Sequence, residues 1–160
     1  SMRQQRAVTP EQAYERLADA CSRAEYCTHE LRQKLLRMGV GADDAARVLG
    51  RLSRERYVDD GRYARAFVRL KAGYGRWGRR KIAYALAMKR IDRRIVSEAM
   101  DEIDPEAYAE ALKGLLKAKL RSGGQELLTS YEGRTRLFRY AAGRGYEADA
   151  IAAAIKTLMA

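Results

Sequence analysis

The stretch LRQKLLRMGVGADDAARVLGRL, from Leu31 to Leu52, decides the fold. Its apolar positions are Leu31, Leu35, Val40, Ala45, Val48, Leu49 and Leu52. Steps of three, four and five along this set place the side chains on one face of a helix, with a break near Val40. The same set recurs 51 residues on as Ile82, Leu86, Ile91, Val96, Ala99, Met100 and Ile103. It recurs again, 106 residues from the first, as Leu137, Ala141, Tyr146, Ile151, Ala154, Ile155 and Leu158. Neither copy needs a gap. A further helix precedes each copy, marked by Tyr14, Tyr63 and Tyr108. The sequence therefore predicts an all-α chain of three tandem three-helix repeats, nine helices in total. Modules of this kind bury their faces partly against their neighbours, and three in a row make an elongated body.

Local signals place the ends. Thr9-Pro10-Glu11-Gln12 reads as an N-cap with Pro at the first helical position and a capping-box Gln. Thr28 is expected to cap the next helix, Asp59 or Asp60 the fourth, Asp92 the sixth and Asp104-Pro105 the seventh. Gly39 and Gly145 stand where the second helix of a repeat must stop and turn, which favours a left-handed residue. The matching residue in the middle repeat is Arg90, which bears a small backbone cost if the turn is the same. Ser122 to Thr129, with Gly123-Gly124, reads as a loop inside the third repeat, and strand signals are absent. The expected division is an expression scar (Ser1-Met2) and disordered N-terminus over 1–9, then repeats at 10–58, 59–103 and 104–160.

Composition narrows the class. The chain has 160 residues, 47% of them apolar, which is enough for a packed core. Two Cys make no disulfide scaffold. No apolar run reaches the roughly 18 residues of a membrane span. The first thirty residues show no signal-peptide core, so a soluble cytoplasmic protein is expected.

The net charge is +11, and it is uneven: +3 over 1–58, +6 over 59–103 and +2 over 104–160. From Gly61 to Ile91 there is no acid at all. That window carries Arg62, Arg65, Arg69, Lys71, Arg76, Arg79, Arg80, Lys81, Lys89 and Arg90. A merely solvated helix gains from opposite-charge pairs, and this window forgoes them. A binding surface for a polyanion is the better reading.

Gly73, Gly75 and Gly78 spell G-x-G-x-x-G, but the run lies between two helices and lacks the strand that a dinucleotide fold requires. The loop holds Tyr74 and the only tryptophan, Trp77. Arg79, Arg80 and Lys81 then open the fifth helix, where the helix dipole disfavours cations. Free N–H groups beside three cations would suit a phosphate or carboxylate. Trp77 is expected either to stack on a partner or to pack between repeats. On the fourth helix Tyr63, Phe67 and Leu70 are expected to face the core, beside a basic stripe of Arg62, Arg65 and Arg69. Cys21, Cys27 and His29 offer three nominal metal ligands without an evident fourth, so no metal site is expected. No catalytic constellation is present in the sequence, and neither an enzyme nor a cofactor is expected.

Tyr57-Val58-Asp59-Asp60, followed by Tyr63-Ala64 and Phe67-Val68, resembles the signature of the RecX family, bacterial modulators of the RecA recombinase. So does the run Ile82-x-x-x-Leu86-x-x-Lys89-Arg90-Ile91, and Arg144-Gly145-Tyr146 looks like the family's pattern in the third repeat. The resemblance covers roughly residues 10 to 159. Departures are Arg79 after Gly78 where Pro is usual, Ala85 where Glu is usual, and Arg90 where Gly is common. The resemblance implies an elongated, curved, all-helical monomer that lodges in the groove of the RecA–DNA filament. There it would slow ATP hydrolysis, block strand exchange and favour filament loss, with a place in recombination, DNA repair and the SOS response. It implies RecA and filament DNA as partners, with no membrane and no cofactor. The expected contact residues are the ten cations of the acid-free window together with Tyr74 and Trp77. Two alternatives use the same features: a free-standing helix-turn-helix-like DNA-binding protein, and a helical adaptor for an acidic partner.

Overall fold

A computed structural model describes residues 7–160; the expected scar (Ser1-Met2) and residues 3–6 of the expected disordered N-terminus lie outside the described residues, whereas Val8 packs against the first core and Thr9 caps the first helix. Among the described residues there are nine α-helices and no strand. They are α1 (Pro10–Arg23), α2 (Thr28–Arg37), α3 (Ala42–Arg54), α4 (Asp60–Ala72), α5 (Arg79–Met88), α6 (Arg93–Asp101), α7 (Pro105–Gly123), α8 (Tyr131–Gly143) and α9 (Ala148–Met159). A 3-10 turn, Gln125–Leu128, stands between α7 and α8. The helices group into two compact units, one running to Tyr63 and including Lys89–Ile91, the other comprising Ala64–Met88 and Asp92–Ala160.

In the first unit, Ala13, Tyr14 and Leu17 of α1 close on the repeat positions of α2 and α3. All seven of those positions, from Leu31 to Leu52, are buried. Each large aliphatic side chain buried this way stabilises by about 1.5–3 kcal/mol. In the second unit, α7, α8, α9 and the 3-10 turn share a core that includes Leu112, Leu116, Leu137, Tyr146 and Ile151. The middle copy is less enclosed: Ile82, Leu86, Ile91 and Ala99 are buried, while Val96, Met100 and Ile103 are half-buried.

Four helix starts follow the sequence signals. The Thr9 hydroxyl accepts from the Gln12 N–H and the Gln12 side chain accepts from the Thr9 N–H, both at 3.1 Å. Asp92 accepts from the Arg94 N–H at 2.8 Å, and Asp104 from the Ala107 N–H at 2.9 Å. Of the two candidates for α4, Asp59 is the cap, accepting from the Arg62 N–H at 3.0 Å. Thr28 departs from expectation. It is the first residue inside α2, and its N–H donates to Asp60 Oδ1 at 2.7 Å. A carboxylate from α4 does the work that a local hydroxyl was expected to do.

The turn between the second and third helix of each repeat has the same hand throughout: φ is +79° at Gly39, +57° at Arg90 and +96° at Gly145. Only Arg90 carries a Cβ there. Arg90→Gly is therefore expected to raise stability by about 0.5–1 kcal/mol, roughly 2 °C in melting temperature. A fall in melting temperature would contradict a left-handed residue at this turn.

Two local expectations are corrected. The segment read as a loop from Ser122 to Thr129 holds the end of α7 and the 3-10 turn, whose Leu127 is buried and anchors it. On α4 the core face is Ala64 and Val68; Tyr63 and Phe67 are half-buried beside it, and Leu70 is 55% exposed. Close helix packing selects the small residues, and the larger ones flank them.

Candidate binding surface

The twelve residues singled out in the sequence divide between the units. Arg62, Lys89 and Arg90 fall in the first and the other nine in the second.

Of the three in the first unit, Arg62 and Lys89 are engaged. Arg62 pairs with Glu25 at 2.8 Å and donates to the carbonyls of Arg56 and Tyr57 at 3.1 and 3.2 Å. Lys89 pairs with Glu30 at 3.1 Å. Burial works against ionisation of Glu30, but the Cys27 N–H and the Lys89 ammonium outweigh it and hold this carboxyl below its usual range. Arg90 is exposed in its turn. Cys27 is buried, which pushes its thiol up to about 11. Among the described residues no three His, Cys, Asp or Glu side chains are grouped so as to hold a metal ion.

The second unit treats its cations differently. Trp77 is half-buried and meets Phe67 edge-on, with ring centroids 6.2 Å apart. Two ammonium groups stand over its indole, Lys71 Nζ at 4.5 Å and Lys81 Nζ at 4.3 Å. Trp77 thus packs within the unit and also collects one lysine from α4 and one from α5. Each such contact is worth about 0.5–1 kcal/mol at an exposed site. Arg65 is half-buried, while Arg69, Arg76 and Arg80 are exposed. Among the described residues these four arginines enter no ion pair. Arg76 holds a left-handed φ of +49° and lies against Gly114 of α7, where an added Cβ would stand 3.1 Å from its guanidinium. Tyr74 is 92% exposed at the tip of the loop.

At the start of α5, three of the N–H groups expected to be free for an anion already have partners: Gly78 donates to the Arg144 carbonyl at 2.8 Å, Arg80 to the Gly145 carbonyl at 3.0 Å, and Arg79 to the Tyr108 hydroxyl at 3.0 Å. Gly78 and Gly145 are both buried, and the two backbones touch there. Arg79 is also held by the fold. Its guanidinium lies 4.0 Å from the Tyr108 ring centroid and pairs with Glu147 at 3.3 Å. The Tyr108 hydroxyl donates to Glu147, and burial together with that carboxylate raises its pKa well above the ordinary range. Of the three cations opening α5, Arg80 and Lys81 remain for a partner.

Just past the window the basic run goes on. Arg93 is exposed at the start of α6 and enters no ion pair among the described residues. Asp92 ended the acid-free run in the sequence, but as a cap its carboxylate is turned to the Arg94 N–H. An acid with a cap signal is the clue that the basic run continues past it.

Fold and surface together define a tandem three-helix protein whose second unit carries unpaired cations gathered around one tryptophan. Residues 13–52 match the family model for RecX, first three-helix domain, and residues 59–100 that for RecX, second three-helix domain. Regulatory protein RecX of Xanthomonas axonopodis pv. citri is 31% identical over 134 residues, which are 84% of this chain and 80% of that protein. Regulatory protein RecX of Mycolicibacterium smegmatis is 34% identical over 92 residues, 58% of this chain; the match spans about half, 49%, of that relative's length. The crystal structure of RecX from Lactobacillus salivarius has the same fold, with a TM-score of 0.84 at 19% identity over 93% of this chain and 96% of that one. This chain belongs to the RecX family. Among the described residues no helix is long and apolar enough to cross a membrane.

Proposed function

We propose that this chain regulates the RecA recombinase, binding the RecA–DNA filament as a monomer and slowing its ATP hydrolysis, strand exchange and growth. The observation that carries this reading is the treatment of cations in the second unit. Lys71 and Lys81 are drawn together on Trp77, and Arg69, Arg76 and Arg80 stand exposed without carboxylate partners. Stability alone would favour carboxylate partners such as those of Arg51, Arg62 and Lys89. Like charges held together are stabilised when a polyanion arrives, and a protein–DNA filament offers phosphates and acidic side chains at once. The name of the Xanthomonas relative, regulatory protein RecX, supports a modulating rather than a catalytic role. The site of action is then the cytoplasm, with RecA and its DNA, in recombination and repair.

The same cations on three-helix modules favour a second reading, DNA binding without RecA. Fluorescence anisotropy with a labelled single-stranded oligonucleotide separates the two. The first reading predicts binding to RecA-coated oligonucleotide at least roughly tenfold tighter than to bare oligonucleotide at physiological salt, where bare-DNA affinity is weakened. Equal affinity for both would establish the second.

A further inference from the structure

A groove of about 690 Å³ runs between α8 and α9 in the second unit, and none of the proposed filament-contact residues lines it. On α8 it is lined by Tyr131, Arg134, Thr135, Phe138 and Arg139, spaced i, i+3, i+4, i+7 and i+8. On α9 it is lined by Ala152, Ile155, Lys156 and Met159, spaced i, i+3, i+4 and i+7. Those spacings are the facing stripes of two packed helices, and a groove so lined suits an amphipathic helix laid along it. The floor is firm, because Ile155 belongs to the buried core and Phe138 packs against it. The walls are open: Tyr131 is 79% and Met159 53% exposed.

The rim selects the occupant. Its charged residues are Arg134, Arg139 and Lys156, and no acid lines the groove. Arg134 is tied to the Leu128 carbonyl at 2.9 Å, while Arg139 and Lys156 enter no ion pair among the described residues. A second copy of this chain would bring a net charge of +11 against that rim, so charge complementarity favours an acidic partner instead. The lining spans about 12 Å along α8, two turns of a partner helix.

We propose that the α8–α9 groove docks an acidic amphipathic helix of a partner protein. Apolar anchors on one of its faces cover Phe138, Ile155 and Met159, and flanking Asp or Glu side chains meet Arg139 and Lys156. This site is independent of the proposed filament surface.

The probe is a dye-labelled helical peptide of about 15 residues, with Leu at i, i+3/i+4 and i+7 and Glu elsewhere, read by anisotropy against the full chain. Saturable binding is expected. Arg139→Glu with Lys156→Glu should weaken it roughly tenfold or more. Ala152→Glu, on an exposed position that lines the groove, should weaken it similarly by filling the groove with like charge. Arg69→Glu with Arg80→Glu should leave it unchanged, which separates this site from the filament surface. All of these positions are exposed, so melting temperatures should match the parent. Four results would each overturn the proposal: no binding at several hundred micromolar peptide, equal binding of a peptide with Ser for every Leu, a homodimer in sedimentation that Ala152→Glu dissociates, or groove-dependent binding of anionic lipid vesicles without peptide binding.

Discussion

Alanine in place of Gly78 is expected to lower the melting temperature by roughly 10 °C, a loss of about 3 kcal/mol. The reason is backbone contact. A Cβ at this position would fall within the van der Waals shells of the Gly145 carbonyl carbon and the Tyr146 nitrogen. Neither is the end of a flexible side chain, so the start of α5 must move away from the turn that precedes α9. Moving it breaks the hydrogen bonds of Gly78 to Arg144 and of Arg80 to Gly145. Gly143→Ala is the control, since a Cβ there meets nothing within 4 Å. Lying in α8, that substitution should be neutral or gain up to about 1 kcal/mol from helix propensity. Thermal melts of the two variants would decide the matter. Equal melting of Gly78→Ala and the parent chain would show that this backbone seam is not formed.

The second large effect concerns binding. Arg69→Glu combined with Arg80→Glu is expected to weaken filament affinity on the order of 10- to 100-fold and to reduce the salt dependence by about one slope unit per residue. Both side chains are exposed and have no ion-pair partner to lose among the described residues, so stability should hold. Arg79→Glu should behave in the opposite way. It breaks the pair with Glu147 and the stack on Tyr108, placing a carboxylate against a carboxylate. Lost melting temperature is expected there before any change specific to binding. The two neighbouring arginines thus have different jobs, and a double Arg79/Arg80 substitution would confuse them. Unchanged affinity in Arg69→Glu with Arg80→Glu would remove this surface from the mechanism.

Much of the fold can be read from apolar spacing because one rule operates three times. The first copy is buried at every position. The alignment also places Arg90 over two glycines, and its backbone is left-handed as they are. The middle copy shows the limit: Val96, Met100 and Ile103 are only half-buried, since periodicity tells which face turns inward and not how much covers it. On α4, size misled. A bulky aromatic looks like a core residue, yet one position along the helix the smaller Ala64 and Val68 let the helix pack closer.

The candidate surface is less legible. The acid-free run is a property of sequence, but which cations stay free depends on carboxylates far along the chain. Glu25 reaches Arg62, Glu30 reaches Lys89 and Glu147 reaches Arg79, over separations of 37, 59 and 68 residues. Helix-to-helix packing sets those meetings, and no local pattern encodes them. The same is true of the N–H groups opening α5, which a helix start leaves free in principle and the turn at Gly145 occupies in fact.

The most direct test of the account is ATP hydrolysis by RecA on single-stranded DNA, measured with and without this chain. Inhibition that saturates as the chain fills the filament, and that Arg69→Glu with Arg80→Glu relieves without loss of melting temperature, is the predicted result. An unchanged hydrolysis rate at several-fold molar excess over RecA would contradict it.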